Sequence, residues 1–370
     1  MKATLFVWTF LKEAKRRESS TVLKKEEHKK VINVTVIGAG SWGTALSLVL
    51  SDGKNNVTLW GKSIQEIHKN QRENKAYLPG IPLPDTINIT GDINEALAQA
   101  ELIVFSIPSQ SLREVCSYIK PFIKGNPVIV NTAKGVETKT LLRLSQVIKE
   151  ELPNHSKSIA VLSGPSHAEE VGRKIPTTIV SASEDRKVAE YVQDAFMVPY
   201  FRVYTSPDVI GTEMAGALKN VIALATGVSD GLGFGDNTKA AIITRGLAEI
   251  SRLGTKMGGE LLTFAGLCGV GDLVVTCTSM HSRNRRAGIQ IGQGKTLEQV
   301  LKGMGMVVEG IETTKAAYEI AIKNQIEMPI TTELHKILFN GLDPKKGVSN
   351  LMERDKTHEA EEIIIKREGW

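Results

Sequence analysis

Three short stretches of this chain hold residue types whose spacing could do chemistry. Residues 34–43 read V-T-V-I-G-A-G-S-W-G, with Gly38, Gly40 and Gly43 in the G-x-G-x-x-G spacing. Each glycine has a task that a side chain would block: Gly38 the tight turn, Gly40 the approach of a pyrophosphate to the backbone, Gly43 the close packing of helix on strand. Ser41 and Trp42 lie inside the same turn. The apolar run Val31–Ile37 before it and Ala45, Leu46, Leu48 and Val49 after it supply the strand and helix that the motif requires. Free N–H groups at that helix start would then face the phosphates of a dinucleotide.

The second stretch is E-M-A-G-A-L-K-N, ending at Lys219 and Asn220. At helical spacing Lys219 shares a face with Thr212, Ala215, Gly216, Ala223 and Thr226, which is small and polar, so another group can press against it. The pattern alone leaves Lys219 equally well an ordinary surface lysine. The third is Ser282-Arg283-Asn284, where Ser282 can cap a helix and an arginine at a helix start can hold an oxyanion. The run Arg283–Arg286 could also be a solvated face. Lys134 ends a strand in a K-G turn, as does Gly164 with Ser166 in G-P-S. Cofactor choice is legible too. No carboxylate follows the second strand at Trp60-Gly61-Lys62, and Lys62 can pair with a 2′-phosphate, so NADP should be accepted beside NAD.

The elements that must position these residues alternate from Val31 onward. Apolar runs at Val57–Trp60, Leu102–Ile107, Pro127–Asn131, Ile159–Ser163, Thr177–Ser181 and Tyr200–Tyr204 read as strands of an α/β, doubly wound, Rossmann-type parallel sheet. Ligands bind beyond the carboxyl ends of such strands. From Pro207 the pattern is helical, with long helices at Pro207–Val228 and Asn237–Met257 and loops at Gly266–Asp272 and Met280–Asn284. The division expected is a disordered extension at 1–30, a dinucleotide-binding domain at 31–206, an all-α substrate domain at 207–354 and a charged tail at 355–370.

Composition is that of a globular protein: 370 residues, 41% hydrophobic, 24% charged, with no apolar run that argues for membrane insertion. The net charge of +5 is scattered along the chain, which suits anionic small ligands and gives no nucleic-acid stripe. Cys116, Cys268 and Cys277 have no metal-type spacing and fit a reduced cytoplasmic protein.

Taken together, G-A-G-S-W-G at 38–43, Y-L-P-G at 77–80, N-T-A-K-G at 131–135, L-S-G-P-S-H-A at 162–168, A-L-K-N at 217–220, G-V-G-D-L at 269–273, S-R-N at 282–284 and V-V-E-G at 307–310 resemble the bacterial-type NAD(P)-dependent glycerol-3-phosphate dehydrogenases. The resemblance implies interconversion of dihydroxyacetone phosphate and sn-glycerol 3-phosphate, feeding glycerophospholipid synthesis in the cytoplasm. It implies Lys219 as the catalytic base, with Lys134 near both cofactor and substrate. Gly164, Ser166, Asp272, Ser282, Arg283 and Asn284 would bind substrate, Asp272 by accepting from a hydroxyl. Ala168, Arg283, Val307 and Glu309 would line the cofactor. A small-molecule phosphate is the partner implied, no metal is called for, and a homodimer is compatible with the sequence. Two other readings stay open on the residues alone: an enzyme acting on β-hydroxyacids, and a dinucleotide-binding redox sensor that turns nothing over. His167, with no nucleophile or metal partner at a telling spacing, reads as structural.

Overall fold

A computed structural model describes residues 30–359 apart from 63, 66, 68–71 and 357. The expectations for the extension at 1–30 and for most of the tail lie outside the described residues. Eight strands form one sheet in the order β3-β2-β1-β4-β5-β6-β7-β8. They are β1 (Asn33–Ile37), β2 (Asn56–Trp60), β3 (Ile87–Thr90), β4 (Leu102–Phe105), β5 (Val128–Asn131), β6 (Ile159–Ser163), β7 (Thr177–Ala182) and β8 (Phe201–Ser206). The sheet is apolar on both faces, as a parallel sheet covered by helices must be. Val34 and Val36 pack with Leu46 and Val49 on one face, while Ile37, Ile103, Phe105 and Ile129 pack with Leu112 and Ile119 on the other.

The structure corrects the strand reading in three places. The edge strand β3 was not expected, because I-N-I-T is short and buries only one side fully. Strand β7 runs antiparallel to β6, although every other neighbouring pair is parallel. Strand β4 also ends at Phe105, two residues before the expected Ile107, because the chain turns at Ser106 into the ligand cleft.

Among the described residues no strand follows Ser206. The long helix spans Val209–Gly231 and is buried on nearly every side, as a helix apolar all round should be. Its small residues let neighbours reach its backbone. A Cβ on Gly227 would meet the Arg285 carbonyl at 2.1 Å, and one on Gly288 would meet the Leu224 carbonyl at 2.1 Å. The helix Arg283–Gly292 therefore seats directly against the long helix, which brings Arg283 and Asn284 toward Lys219. The next helix spans Asp236–Lys256.

The stretch expected to loop at Gly266–Asp272 instead forms a π-helical turn, Leu267–Gly271, running into the helix Asp272–Thr278. Such turns recur at functional sites. The segment Leu261–Thr278 has a mean hydropathy of 1.7, but it carries the ion-paired Asp272 and packs inside the helical core through Phe264, Cys268, Leu273 and Cys277. All three cysteines are buried and free.

Candidate active site

One cleft of about 980 Å³ lies between the carboxyl ends of the strands and the helical part. Its first wall is the glycine turn. Gly38 has a φ of +115°, open to glycine alone, and a Cβ there would strike the Ser106 carbonyl at 2.3 Å. A Cβ on Gly43 would sit 1.8 Å from the Gly38 carbonyl, so Gly43 lies under the turn and off the cleft wall. Gly40 faces open space, with nothing within 4 Å of an added Cβ. No side chain caps the helix Ser41–Asp52, so its first N–H groups remain available. Gly40, Ser41, Trp42 and Lys62 all line the cleft. These features fit a dinucleotide: an open cradle at Gly40, free donors at a helix start, and an exposed lysine beyond β2. Asn74, which sequence reasoning missed, braces the turn by donating to the Ala39 carbonyl at 2.9 Å and to Thr44 Oγ1 at 2.8 Å.

The second wall holds the two lysines. Gly216 lets the long helix pass close to the end of β6: a Cβ there would lie 2.8 Å from Ser163 Oγ and 3.6 Å from Lys134 Cγ. Lys134 and Lys219 are thereby brought to one carboxylate. Lys134 Nζ donates to Asp272 Oδ2 at 2.6 Å and to the Gly164 carbonyl at 3.0 Å. Lys219 Nζ donates to Asp272 Oδ1 and to Thr276 Oγ1, the latter at 2.8 Å. An ammonium has three hydrogens, so two acceptors leave each lysine one uncommitted, and both lysines line the cleft. Lys219 is only 6% exposed, and burial pushes its ammonium down to about 7. Asp272 opposes that shift and Lys134 adds to it. Burial would raise the Asp272 carboxyl, but the two lysines hold it below the usual carboxylate range.

Asp272 is 1% exposed, with both oxygens taken by lysines, so the structure places it behind them and not on the cleft wall. Gly164 also sits behind the wall. Its φ of +143° is a glycine position, and its carbonyl accepts from Lys134 and from Ser166 Oγ at 2.9 Å. Ser166 and Ala168 line the cleft. His167, read from the sequence as structural, lines it as well, with its ring centroid 5.8 Å from that of His281.

The third wall is the start of the helix Arg283–Gly292. Ser282 caps it, accepting from the Arg285 N–H at 3.2 Å. Arg283 donates to the Val307 carbonyl at 3.0 Å. The Asn284 amide accepts from Gly310 N–H at 2.8 Å and donates to Asn220 Oδ1 at 2.9 Å, tying three helices together beside Lys219. Glu309 accepts from the backbone N–H of Ser109 at 3.0 Å and from its hydroxyl. Burial raises the Glu309 carboxyl, with Ser109 opposing. Ser282, Arg283, Asn284, Val307 and Glu309 all line the cleft. Thr276 and Asn220 were missed as positioning residues. Asn220 stood beside Lys219 in A-L-K-N, and Thr276 lies one helical turn after Asp272, which are the signals that could have found them.

A glycine cradle facing paired lysines across one cleft defines a dinucleotide-dependent oxidoreductase of the Rossmann-plus-helical class. The pattern of the NAD-dependent glycerol-3-phosphate dehydrogenase N-terminus matches residues 33–189, that of its C-terminus matches residues 208–349, and the chain belongs to this family. A glycerol-3-phosphate dehydrogenase [NAD(P)+] of Desulfitobacterium hafniense is 56% identical over 334 residues, covering 90% of this chain and 94% of the relative. The Bacillus subtilis protein of that description is 55% identical over 334 residues, covering 90% and 97%. The crystal structure of glycerol-3-phosphate dehydrogenase from Coxiella burnetii superposes with a TM-score of 0.83 at 39% identity, covering 88% of this chain and 99% of that one. A D-mandelate dehydrogenase at 14% identity and a TM-score of 0.56 shares the fold alone.

Proposed function

We propose that the chain reduces dihydroxyacetone phosphate to sn-glycerol 3-phosphate, and runs the reverse, with Lys219 as the proton-transfer residue. The observation that carries this reading is the buried Lys219 ammonium, fixed by Asp272 and Thr276 at the cleft wall. The bound nicotinamide supplies or accepts the hydride. In reduction, negative charge grows on the ketone oxygen; Lys219 stabilises it and delivers the proton, forming O–H as its own N–H bond breaks. In oxidation the neutral amine takes the hydroxyl proton. Lys134 adds a second positive charge beside the same oxygen, and Asp272 orients both ammonium groups.

The start of the helix Arg283–Gly292, with Ser282, Arg283 and Asn284, receives the substrate's phosphate. Gly164 shapes the strand end beneath Lys134, and Ser166 offers its hydroxyl. Gly38, Gly40, Ser41, Trp42, Ala168, Val307 and Glu309 hold the cofactor, with Lys62 selecting the 2′-phosphate. The domain boundary falls near Ser206, with the glycine turn that cradles the cofactor before it and Lys219 and the helix Arg283–Gly292 after it. The product supplies glycerophospholipid synthesis in the cytoplasm. Comparing dihydroxyacetone phosphate, dihydroxyacetone and a 3-oxoacid by NADPH absorbance tests the reading: fast turnover of the first alone is expected. Preference for the oxoacid would point to a β-hydroxyacid enzyme, and binding without turnover to a sensor.

A further inference from the structure

Arg286 is an arginine of this cleft whose side chain has no partner among the described residues. It stands three residues after Arg283 on the same helix, so the two side chains share a face, and both line the cleft. Its neighbours are engaged: Arg283 donates to the Val307 carbonyl, and Arg285 pairs with Asp230 at 2.7 Å. The Arg286 side chain forms no hydrogen bond or ion pair among the described residues, and its Nε is buried with no partner. Three carboxylates line the cleft, and none pairs with Arg286: Glu309 is held by Ser109, Glu73 accepts from the Gly80 N–H at 2.7 Å, and Glu169 makes no ion pair with it. A buried guanidinium donor left unmatched costs stability, which a protein tolerates where a ligand supplies the acceptor. A guanidinium presents its Nε–H and one Nη–H as a fork that fits a phosphoryl group.

We propose that Arg286 is a further specificity-determining residue, whose guanidinium takes a phosphoryl oxygen of a ligand bound in the cleft. The inference rests on the reading of that cleft as the site of a dinucleotide and a phosphate monoester. Both ligands carry the chemistry, so the test separates them. Arg286→Gln removes the charge, and Arg286→Lys keeps the charge without the fork. NADPH and NADH dissociation constants are read by nucleotide fluorescence without turnover. Steady-state rates are read with dihydroxyacetone phosphate and dihydroxyacetone. Loss of a charge-assisted contact is expected to weaken one ligand by about tenfold to a hundredfold in the Gln variant, with partial recovery in the Lys variant.

A raised KM for dihydroxyacetone phosphate, with dihydroxyacetone and both nucleotides unaffected, assigns the contact to the monoester. Equal weakening of NADPH and NADH assigns it to the pyrophosphate, and weakening of NADPH alone to the 2′-phosphate. Unchanged affinities throughout would overturn the proposal. So would a Gln variant whose sole change is a lower thermal midpoint of the free protein, which marks a packing residue. A wild-type chain that binds nucleotides but does not reduce dihydroxyacetone phosphate would instead overturn the reading of the substrate, and the nucleotide titrations would still decide Arg286.

Discussion

Asp272→Asn separates two roles for the same carboxylate: holder of the lysines, or acceptor for a substrate hydroxyl. In the structure each Asp272 oxygen faces a lysine, Lys134 at 2.6 Å and Lys219 at closer range. Opposite charges about 4 Å apart interact by about 4 kcal/mol at an effective dielectric of about 20, worth about three pKa units. The Asn oxygen still accepts from Lys219 and water can enter, which reduces the realised shift to about one or two units. Lys219 stands at about 7 in the native site. Reduction needs the ammonium, so its rate falls as pH rises through that value, whereas oxidation needs the free amine and rises through it. In the Asn variant both limbs should move to lower pH by about one or two units. Reductive kcat at pH 7 should then drop by about five- to fiftyfold, with partial recovery on acidification. The assay is kcat against pH at saturating NADPH and dihydroxyacetone phosphate, in both directions. An unmoved pH profile with only KM raised would refute the reasoning and return Asp272 to the substrate's hydroxyl.

Three further outcomes follow from the cleft walls. Lys62→Asp should raise the NADPH KM and spare NADH, since Lys62 is exposed on the cleft wall and pairs with no carboxylate among the described residues; equal effects on both nucleotides would remove it as the selector. Arg283→Ala should weaken dihydroxyacetone phosphate strongly, about tenfold or more, and leave the slow reaction of dihydroxyacetone nearly unchanged; equal losses would assign it to the fold or the cofactor. Gly40→Ala should keep the thermal midpoint of the free protein while weakening NADPH in a fluorescence titration, because its Cβ meets only open space. Gly43→Ala should lower that midpoint, because its Cβ meets the Gly38 carbonyl at 1.8 Å. Reversal of that pair of results would show that the turn's glycines are misassigned.

Much of this arrangement was legible because it is local. The strand, glycine turn and helix at 33–52 are contiguous, so pattern and period suffice. Ser282 as a cap is equally local, and the structure has it accepting from Arg285. What could not be read is what depends on distance along the chain. Lys134, Lys219 and Asp272 meet across separations of 138 and 53 residues, and no spacing encodes that. The burial of Asp272 behind both lysines follows from the π-helical turn at Leu267–Gly271, where the glycine-rich sequence read as a loop. The reversed direction of β7 is likewise set by which edge the chain returns to, since an apolar run looks the same read either way along the sheet.

The proton-transfer role of Lys219 is tested most directly by kcat of Lys219→Met. The stem and the helix propensity are kept, so the long helix should persist. Removing a group that acts mainly in the transition state should lower kcat by about a hundredfold or more, far more than it changes KM, while NADPH binding followed by fluorescence survives. Lys134→Met, which removes the second positive charge at the same carboxylate, should damage substrate affinity together with turnover. If Lys219→Met instead keeps a large share of the wild-type kcat at saturating NADPH across the pH range, the assignment is contradicted and Lys134 becomes the proton-transfer residue.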